Sequence, residues 1–446
     1  KKMSFVSPVN TVTLDCTGNV LPNAMLLADV DSTKINKLLV GTQEGELLIF
    51  KSNRNPNDVQ LWRRAQGLGF ITAITVGFLV PKANEPRPII CVVNAEGAIH
   101  LFLLRPNTQR SRVRSAGGTA NNNRNDSKFQ LYGITTLSND DEQQQIQPAF
   151  SQQLICNPKV LLIQDFHETE KQLIISYNDR TIRIFTSMII EEYDGRLSGR
   201  ILLKHIFNVA DQIHTLSSRQ MHASKDYELI VSQPGGNLLR FNPNEESVRI
   251  VASDITNHTA TGWTEAIALD GFFDDTVYAT ICHDHIDIFS SQLNKILSTI
   301  PLSVTTGHLC GLRQLPATKD KYNQLVTISS VDGDTFIIDR HSNVIRFRPP
   351  LSSNTVFGSG SDSMTHSHFF DQIQAFTSGL FGDNNTFCFI YVLTHNDKII
   401  IVHSIEISST RTTNLLTTLP KTISDEKFKD AQSISEQLKD LLHPHY

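Results

Sequence analysis

Residues 24–50, AMLLADVDSTKINKLLVGTQEGELLIF, hold the pattern that decides the fold. An apolar run at 24–30 ends in Asp29-Val30-Asp31, a polar turn follows, and Leu38-Leu39-Val40-Gly41 is a short strand. Gln43-Glu44-Gly45 then supplies a tight turn, in which glycine takes positive φ without a steric penalty. Leu47-Leu48-Ile49-Phe50 is the next strand. The unit reads strand, turn, strand, hairpin, strand, and needs no helix.

Six further copies follow at residues 71–102, 160–185, 213–241, 266–289, 309–339 and 373–402. The second is the closest match: Ile89-Ile90-Cys91-Val92-Val93 runs through Asn94-Ala95-Glu96-Gly97 into Ala98-Ile99-His100-Leu101-Phe102. In the others the hairpin turn is Asn178-Asp179-Arg180, Pro234-Gly235-Gly236-Asn237, His283-Asp284, Asp332-Gly333-Asp334 and His395-Asn396-Asp397. Outer strands show between copies as Val248-Arg249-Ile250-Val251 and Val344-Ile345-Arg346-Phe347. Allowing for insertions near 105–153 and 350–368, the spacing is that of four-stranded blades. The expected fold is therefore an all-β, seven-bladed β-propeller with FG-GAP- or WD-like blades. Its last outer strand comes either from the N-terminal residues 5–14, interrupted by Pro8, or from residues 405–416; either closes the ring and removes a free edge.

The expected organisation is a propeller over residues 3–416 and a C-terminal amphipathic helix over 422–442. In TISDEKFKDAQSISEQLKDLL, Phe428, Ala431, Ile434, Leu438 and Leu441/Leu442 recur at helical spacing, Ser424 and Asp425 suit the cap, and Pro444 suits the stop. The stripe is buried against its own propeller or against another chain, so Phe428, Ile434 and Leu438 are the candidate partner-binding residues. Residues 105–153 interrupt the blades with Asn-, Arg-, Ser- and Gln-rich sequence, which reads as a disordered polar insertion.

The formal charge of −5 argues against nucleic acid as a partner, which requires a concentrated basic surface. The six cysteines stand singly, with neither zinc spacing nor a disulfide framework. The N-terminus lacks a signal-peptide pattern and no run reaches the roughly 20 apolar residues of a membrane span. These features read as a cytoplasmic or peripherally attached protein without direct membrane insertion.

Motifs for chemistry are few. Asp29-Val30-Asp31-Ser32-Thr33 resembles the start of an FG-GAP calcium loop, where alternating oxygens wrap a hard cation. Thr33, Lys34 and Ile35 weaken it, Asp165-Phe166-His167-Glu168 is poorer, and a structural turn is the better reading. His283-Asp284-His285 has two imidazoles at i, i+2 but sits in a turn without a third ligand; His366, His368, His443 and His445 lie in polar loops or the tail. Neither GxSxG nor GxxxxGK[ST] occurs. The sequence thus assigns no catalytic, cofactor or metal residues, and a non-enzyme is expected.

LADVDSTKINKLLVGTQEGEL at 27–47, VVNAEGAIHLF at 92–102, LIVSQPGG at 229–236 and VDGDTFIIDRHSNVIRF at 331–347 resemble the corresponding blades of the integrin-alpha FG-GAP repeat-containing protein 2 family, in the same order. The Asn/Arg-rich insertion, the short stretch after Phe241 and the weak Asp loop depart from it. The resemblance implies a non-catalytic subunit of KICSTOR, pairing with the propeller protein kaptin. It further implies recruitment of the Rag-directed GTPase-activating complex to lysosomes, restraining TOR signalling in nutrient limitation. The rival classes are an extracellular calcium-binding adhesion propeller and a propeller hydrolase.

Overall fold

The computed structural model describes residues 2–6, 10–53, 57–81, 86–104, 145–164, 170–192, 196–220, 227–233, 238–243, 247–250, 265–269, 277–281, 285–290, 295–302, 309–314, 325–330, 334–339, 344–347, 373–383, 386–393, 397–403, 405 and 407–411. Every regular element among them is a strand. The proposed helix at 422–442, with Phe428, Ile434 and Leu438, lies outside the described residues, as does 105–144 of the polar insertion.

Among the described residues between Pro8 and Ile405 stand seven four-stranded antiparallel sheets, six of them meanders. Blade 1 is Val20–Ala28, Lys37–Thr42, Leu47–Ser52 and Val59–Ala65; blade 2 is Ile71–Gly77, Ile89–Asn94, Ala98–Phe102 and Phe150–Gln153. Blade 3 is Pro158–Gln164, Lys171–Tyr177, Thr181–Ser187 and Ile201–Asn208. Blade 4 runs Thr215–Gln220 to Ser247–Ile250, blade 5 Glu265–Leu269 to Lys295–Pro301, and blade 6 Leu309–Gln314 to Val344–Phe347. Blade 7 is Ile373–Phe381, Thr386–Leu393, Lys398–His403 and, as its outer strand, the N-terminal Asn10–Asp15. The first strand of each blade touches the first strand of the next, and blade 7 touches blade 1, so the contacts close a cycle. This is a β-propeller.

Ring closure thus falls to the N-terminal strand, with Thr11 opposite Val402 and Thr13 opposite Ile400. The sequence pattern reads residues 5–14 as one strand; the described residues of that stretch belong to two, Lys2–Val6 and Asn10–Asp15, in different sheets. Lys2–Val6 pairs with Ile407–Arg411 in a separate two-stranded unit. A second difference concerns the insertion, whose expected end was residue 153. Phe150–Gln153 is instead the outer strand of blade 2, paired with Ala98–Phe102. Alternate Phe150 and Gln152 are half-buried while Ser151 and Gln153 follow the opposite face, a two-residue period too short to stand out beside a polar tract.

The core lies between blades. In Ile89–Asn94 every residue is buried: Ile90 and Val92 pack with blades 1 and 7, while Ile89, Cys91 and Val93 pack toward blade 3. Lys171–Tyr177 divides likewise, Leu173, Ile175 and Tyr177 to one side and Ile174 to the other. A strand covered on both faces has no polar face to alternate with, which is why the repeats read as unbroken apolar runs. Polar ties join neighbouring blades: Tyr227 Oη donates to Gln172 Oε1 at 2.5 Å, and Tyr391 Oη shares a hydrogen bond of 2.7 Å with Thr335 Oγ1.

The hairpins recur in atomic detail. Gly45 (φ 86°), Gly97 (φ 87°), Arg180 (φ 65°) and Asp397 (φ 48°) all take the left-handed conformation. Each carbonyl then accepts an N–H from a connecting segment: Leu68 at 3.0 Å, Leu154 at 2.8 Å, Val209 at 3.0 Å and Cys16 at 2.7 Å, respectively. Arg180 and Asp397 show that the conformation is tolerated without glycine where space permits. At Gly97 it does not, because a Cβ would stand 2.5 Å from the Ile155 backbone. Gly97→Ala is expected to lower stability by about 2 kcal/mol through left-handed strain and this clash, read as a shifted urea midpoint. An unchanged midpoint would show that the connection gives way freely.

Candidate functional site

Two features of the described residues bear on function: the Asp29–Lys37 loop and the outer edge of blade 3. The loop links the first two strands of blade 1, and Ser32 and Lys34 both have φ of 61° there, winding its backbone N–H groups inward. Asp29 Oδ1 accepts N–H bonds from Asp31 and Thr33, both at 3.2 Å, and its Oδ2 accepts from Lys34 at 2.7 Å. Asp31 Oδ1 accepts from Thr33 N at 3.3 Å and from Thr33 Oγ1 at 2.6 Å.

The Lys37 ammonium occupies the middle of this set. It makes a short bond to Asp31 Oδ1, reaches Thr33 Oγ1 at 2.5 Å and lies 3.8 Å from Asp29 Oδ1. Lys37 and Asp31 are both 5% exposed, and the ammonium stands 5.8 Å from the Trp62 ring. A calcium loop needs six to eight oxygens around a cation. Here the chain's own cation sits among the carboxylates, which matches the reading of a structural turn. The second weak loop, Asp165-Phe166-His167-Glu168, lies outside the described residues.

Burial raises the Asp31 carboxyl, and hydrogen bonds from Lys37 and Thr33 outweigh it, leaving the group below the ordinary carboxylate range. A lowered folded value means the contact contributes fully above the unfolded value and is lost as pH falls through the folded one. The stability gap between the parent and Asp31→Asn is therefore expected to narrow on acidification from pH 7 toward pH 3, measured by urea denaturation. A gap constant with pH would deny the carboxylate this role.

Other carboxylates are matched by cations within their own blades. Asp334 holds Arg346 through two bonds of 3.2 and 2.6 Å, Asp179 holds Arg183 at 2.7 Å, and Glu228 and Arg240 make a close pair, as do Glu46 and Arg64. Of the His-Asp-His turn, residues 283 and 284 lie outside the described residues; His285 Nε2 is 3.4 Å from Asp287 Oδ2, which accepts Thr299 Oγ1 through its other oxygen at 2.7 Å. His366, His368, His443 and His445 also lie outside them. Among the described residues no three His, Cys, Asp or Glu side chains gather as metal ligands.

Cys16, Cys91 and Cys388 are buried and behave as small core hydrophobes. Burial, reinforced by Asp397, Glu44 and Glu46, pushes the Cys16 thiol up to about 12, and burial alone raises Cys91 and Cys388. Cys156 is exposed.

The blade 3 edge went unnoticed in the repeat pattern. Met188, Ile190, Leu202, Leu203 and Ile206 are 42 to 58% exposed and account for five of the seven exposed large hydrophobics among the described residues. Its signal was the run Ile201-Leu202-Leu203-Lys204-His205-Ile206-Phe207, apolar enough for a core yet placed between repeats. Lys204 bonds Glu170 at 2.5 Å beside it. A short hairpin, Ile190–Glu191 with Leu197–Ser198, extends the blade outward. Gly199 (φ 119°) permits the close approach of the Met188 carbonyl at its base, 2.1 Å from where a Cβ would stand.

Four-stranded sheets joined in a cycle, with carboxylates matched to cations and an apolar outer edge on blade 3, define a protein of the β-propeller class. Its solved likenesses agree in fold: chains titled "Crystal structure of BBS1N in complex with ARL6DN", soaked with mercury or with lead, superpose with TM-scores of 0.55 and 0.54. They cover 92% of this chain and 97% of their own length at 11 and 12% identity. Residues 54–272 match the family described as Integrin-alpha FG-GAP repeat-containing protein 2. The chain is 26% identical to the KICSTOR complex protein ITFG2 of Bos taurus over 94% of its length and 74% of that relative. It is 26% identical to the protein of that name in Mus musculus over 93% and 88%. These matches fall on the same family that the repeats resemble, integrin-alpha FG-GAP repeat-containing protein 2. No helix among the described residues is long and apolar enough to cross a membrane.

Proposed function

We propose that this chain is a non-catalytic scaffold subunit of a KICSTOR-like complex. The observation that carries the reading is likeness along nearly the whole chain to two proteins named for that complex. The fold supports it: four-stranded sheets joined in a cycle hold outer surfaces in fixed geometry and let partners bind without reshaping the core. In this reading the chain pairs with a kaptin-like propeller and joins the other KICSTOR subunits. Together they hold the Rag-directed GTPase-activating complex at the lysosomal surface and restrain TOR when nutrients are scarce. Its place is cytoplasmic and peripheral to that membrane, and its work needs no cofactor. The apolar stripe Phe428, Ile434 and Leu438 adds a second contact for the partner.

Deletion of the chain in its own cells tests the reading. During amino-acid starvation the Rag-directed complex is expected to leave lysosomes and phosphorylation of TOR substrates to persist, both reversed by returning the chain. Normal recruitment and normal TOR shutdown in its absence would overturn it. The Asp29–Lys37 loop, with an ammonium among its carboxylates, weighs against the rival reading of a calcium-dependent adhesion propeller.

A further inference from the structure

We infer that the outer edge of blade 3, Ile201–Asn208 with the hairpin beside it, accepts an extended strand of a partner chain that is apolar and acidic. The inference rests on the scaffold reading and names the face that reading leaves open.

Three observations converge on it. First, Ile201–Asn208 is the longest of the seven described outer strands, at 8 residues, and has a strand neighbour on one side only. Natural outer strands are usually kept short or covered, because their open backbone recruits another strand. Second, the strand carries three of the seven exposed large hydrophobics among the described residues, and the adjoining hairpin segment carries two more, Met188 and Ile190. Leu202 lies opposite Thr186, Leu203 opposite Phe185 and Ile206 opposite Arg183, with a register shift between the halves. A scattering of apolar residues needs no explanation, whereas a cluster of this kind marks a contact surface. Third, the edge backbone already shows the bonding an added strand would make. The Gln152 carboxamide takes the Ile201 N–H at 2.9 Å and donates to the Ile201 carbonyl at 2.8 Å, imitating one residue of a neighbouring strand.

Charge selects the occupant. On the strand arm, from Arg196 to Asn208, the chain carries Arg196, Arg200, Lys204 and His205 and no carboxylate; Lys204 is held by Glu170, and of the hairpin's first arm Glu191 is held by Arg87, with Glu192 beside it. Two copies of this edge paired antiparallel would set basic residues against basic ones, which cross-strand pairing penalises. A partner strand with Asp or Glu among its apolar residues meets both demands. Main-chain bonds then give affinity, and alternate side chains give selectivity.

The test uses the purified full-length chain and its kaptin-like partner, mixed at equal amounts. Hydrogen exchange is expected to slow at residues 201–208 on mixing. Leu203→Asp with Ile206→Asp is expected to weaken the pair at least tenfold while leaving the melting temperature of the lone chain unchanged. Arg200→Glu, which leaves the apolar cluster intact, is expected to weaken it severalfold, with the loss shrinking as salt rises. A pair that forms while residues 201–208 exchange as freely as in the lone chain overturns the edge assignment and leaves the scaffold reading standing. A dimer of this chain alone, broken by Leu203→Asp, overturns the acidic occupant in favour of a second copy. A chain that takes no partner overturns both readings.

Discussion

Replacing Lys37 with Met is expected to lower the stability of the chain by about 3–5 kcal/mol, because it strips a buried carboxylate of its cation while keeping the apolar stem. Asp31, 5% exposed, would be left with Thr33 alone, and the fixed N–H donors around Asp29 would no longer face a balanced pair of charges. The coupled change is informative. Asp31→Asn together with Lys37→Met removes both charges and is expected to recover a large part of the loss, since two matched apolar or neutral groups are cheaper to bury than one unpaired ion. Denaturant midpoints of the parent, both single variants and the double variant measure the coupling directly. Additive losses would mean that the pair contributes nothing as a pair. Added calcium is expected to leave the midpoint of the parent unmoved, because Lys37 already provides the positive charge.

Deleting residues 1–15 is expected to cost more still. Blade 7 would lose Asn10–Asp15, its outer strand, and expose the edge of Lys398–His403, whose Ile399, Ile400, Ile401 and Val402 are buried. That edge is flat and apolar, the kind that pairs with other chains. The shortened chain is expected to aggregate on expression and, where recovered, to melt well below the parent. Supplying residues 1–15 as a separate peptide should restore the melt in part. A shortened chain that stays monomeric and melts like the parent would show that the ring closes without its N-terminal strand.

Much of this fold was legible in the sequence because each blade repeats one hairpin, and hairpins carry local signals. Gly45 and Gly97 announced their turns, and middle strands such as Ile89–Asn94 and Lys171–Tyr177, covered on both faces, gave unbroken apolar runs. Outer strands were harder to read. Phe150–Gln153 has four residues with a half-buried period, and Asn10–Asp15 closes a sheet whose other strands lie more than 350 residues away, a pairing that no local pattern encodes. The turns at Asn178-Asp179-Arg180 and His395-Asn396-Asp397 were legible from their polar residues, although Arg180 and Asp397 gave no sign that they carry the left-handed conformation. The Asp29 loop was recognised by its carboxylates, yet Lys37, which completes it, sits in the next strand and looked like an ordinary strand terminus. The apolar edge of blade 3 was overlooked for the opposite reason. Leu202, Leu203 and Ile206 look like core, and only the sheet order, which puts them outermost, reveals that they are not.

In the proposed function this chain works as one propeller in a fixed assembly. The most direct measurement is purification of the tagged full-length chain from its own cells at moderate salt, with its companions quantified by mass spectrometry. The scaffold reading predicts a kaptin-like propeller at near equal amount, accompanied by the other subunits of the complex. A chain recovered alone and monomeric would contradict it.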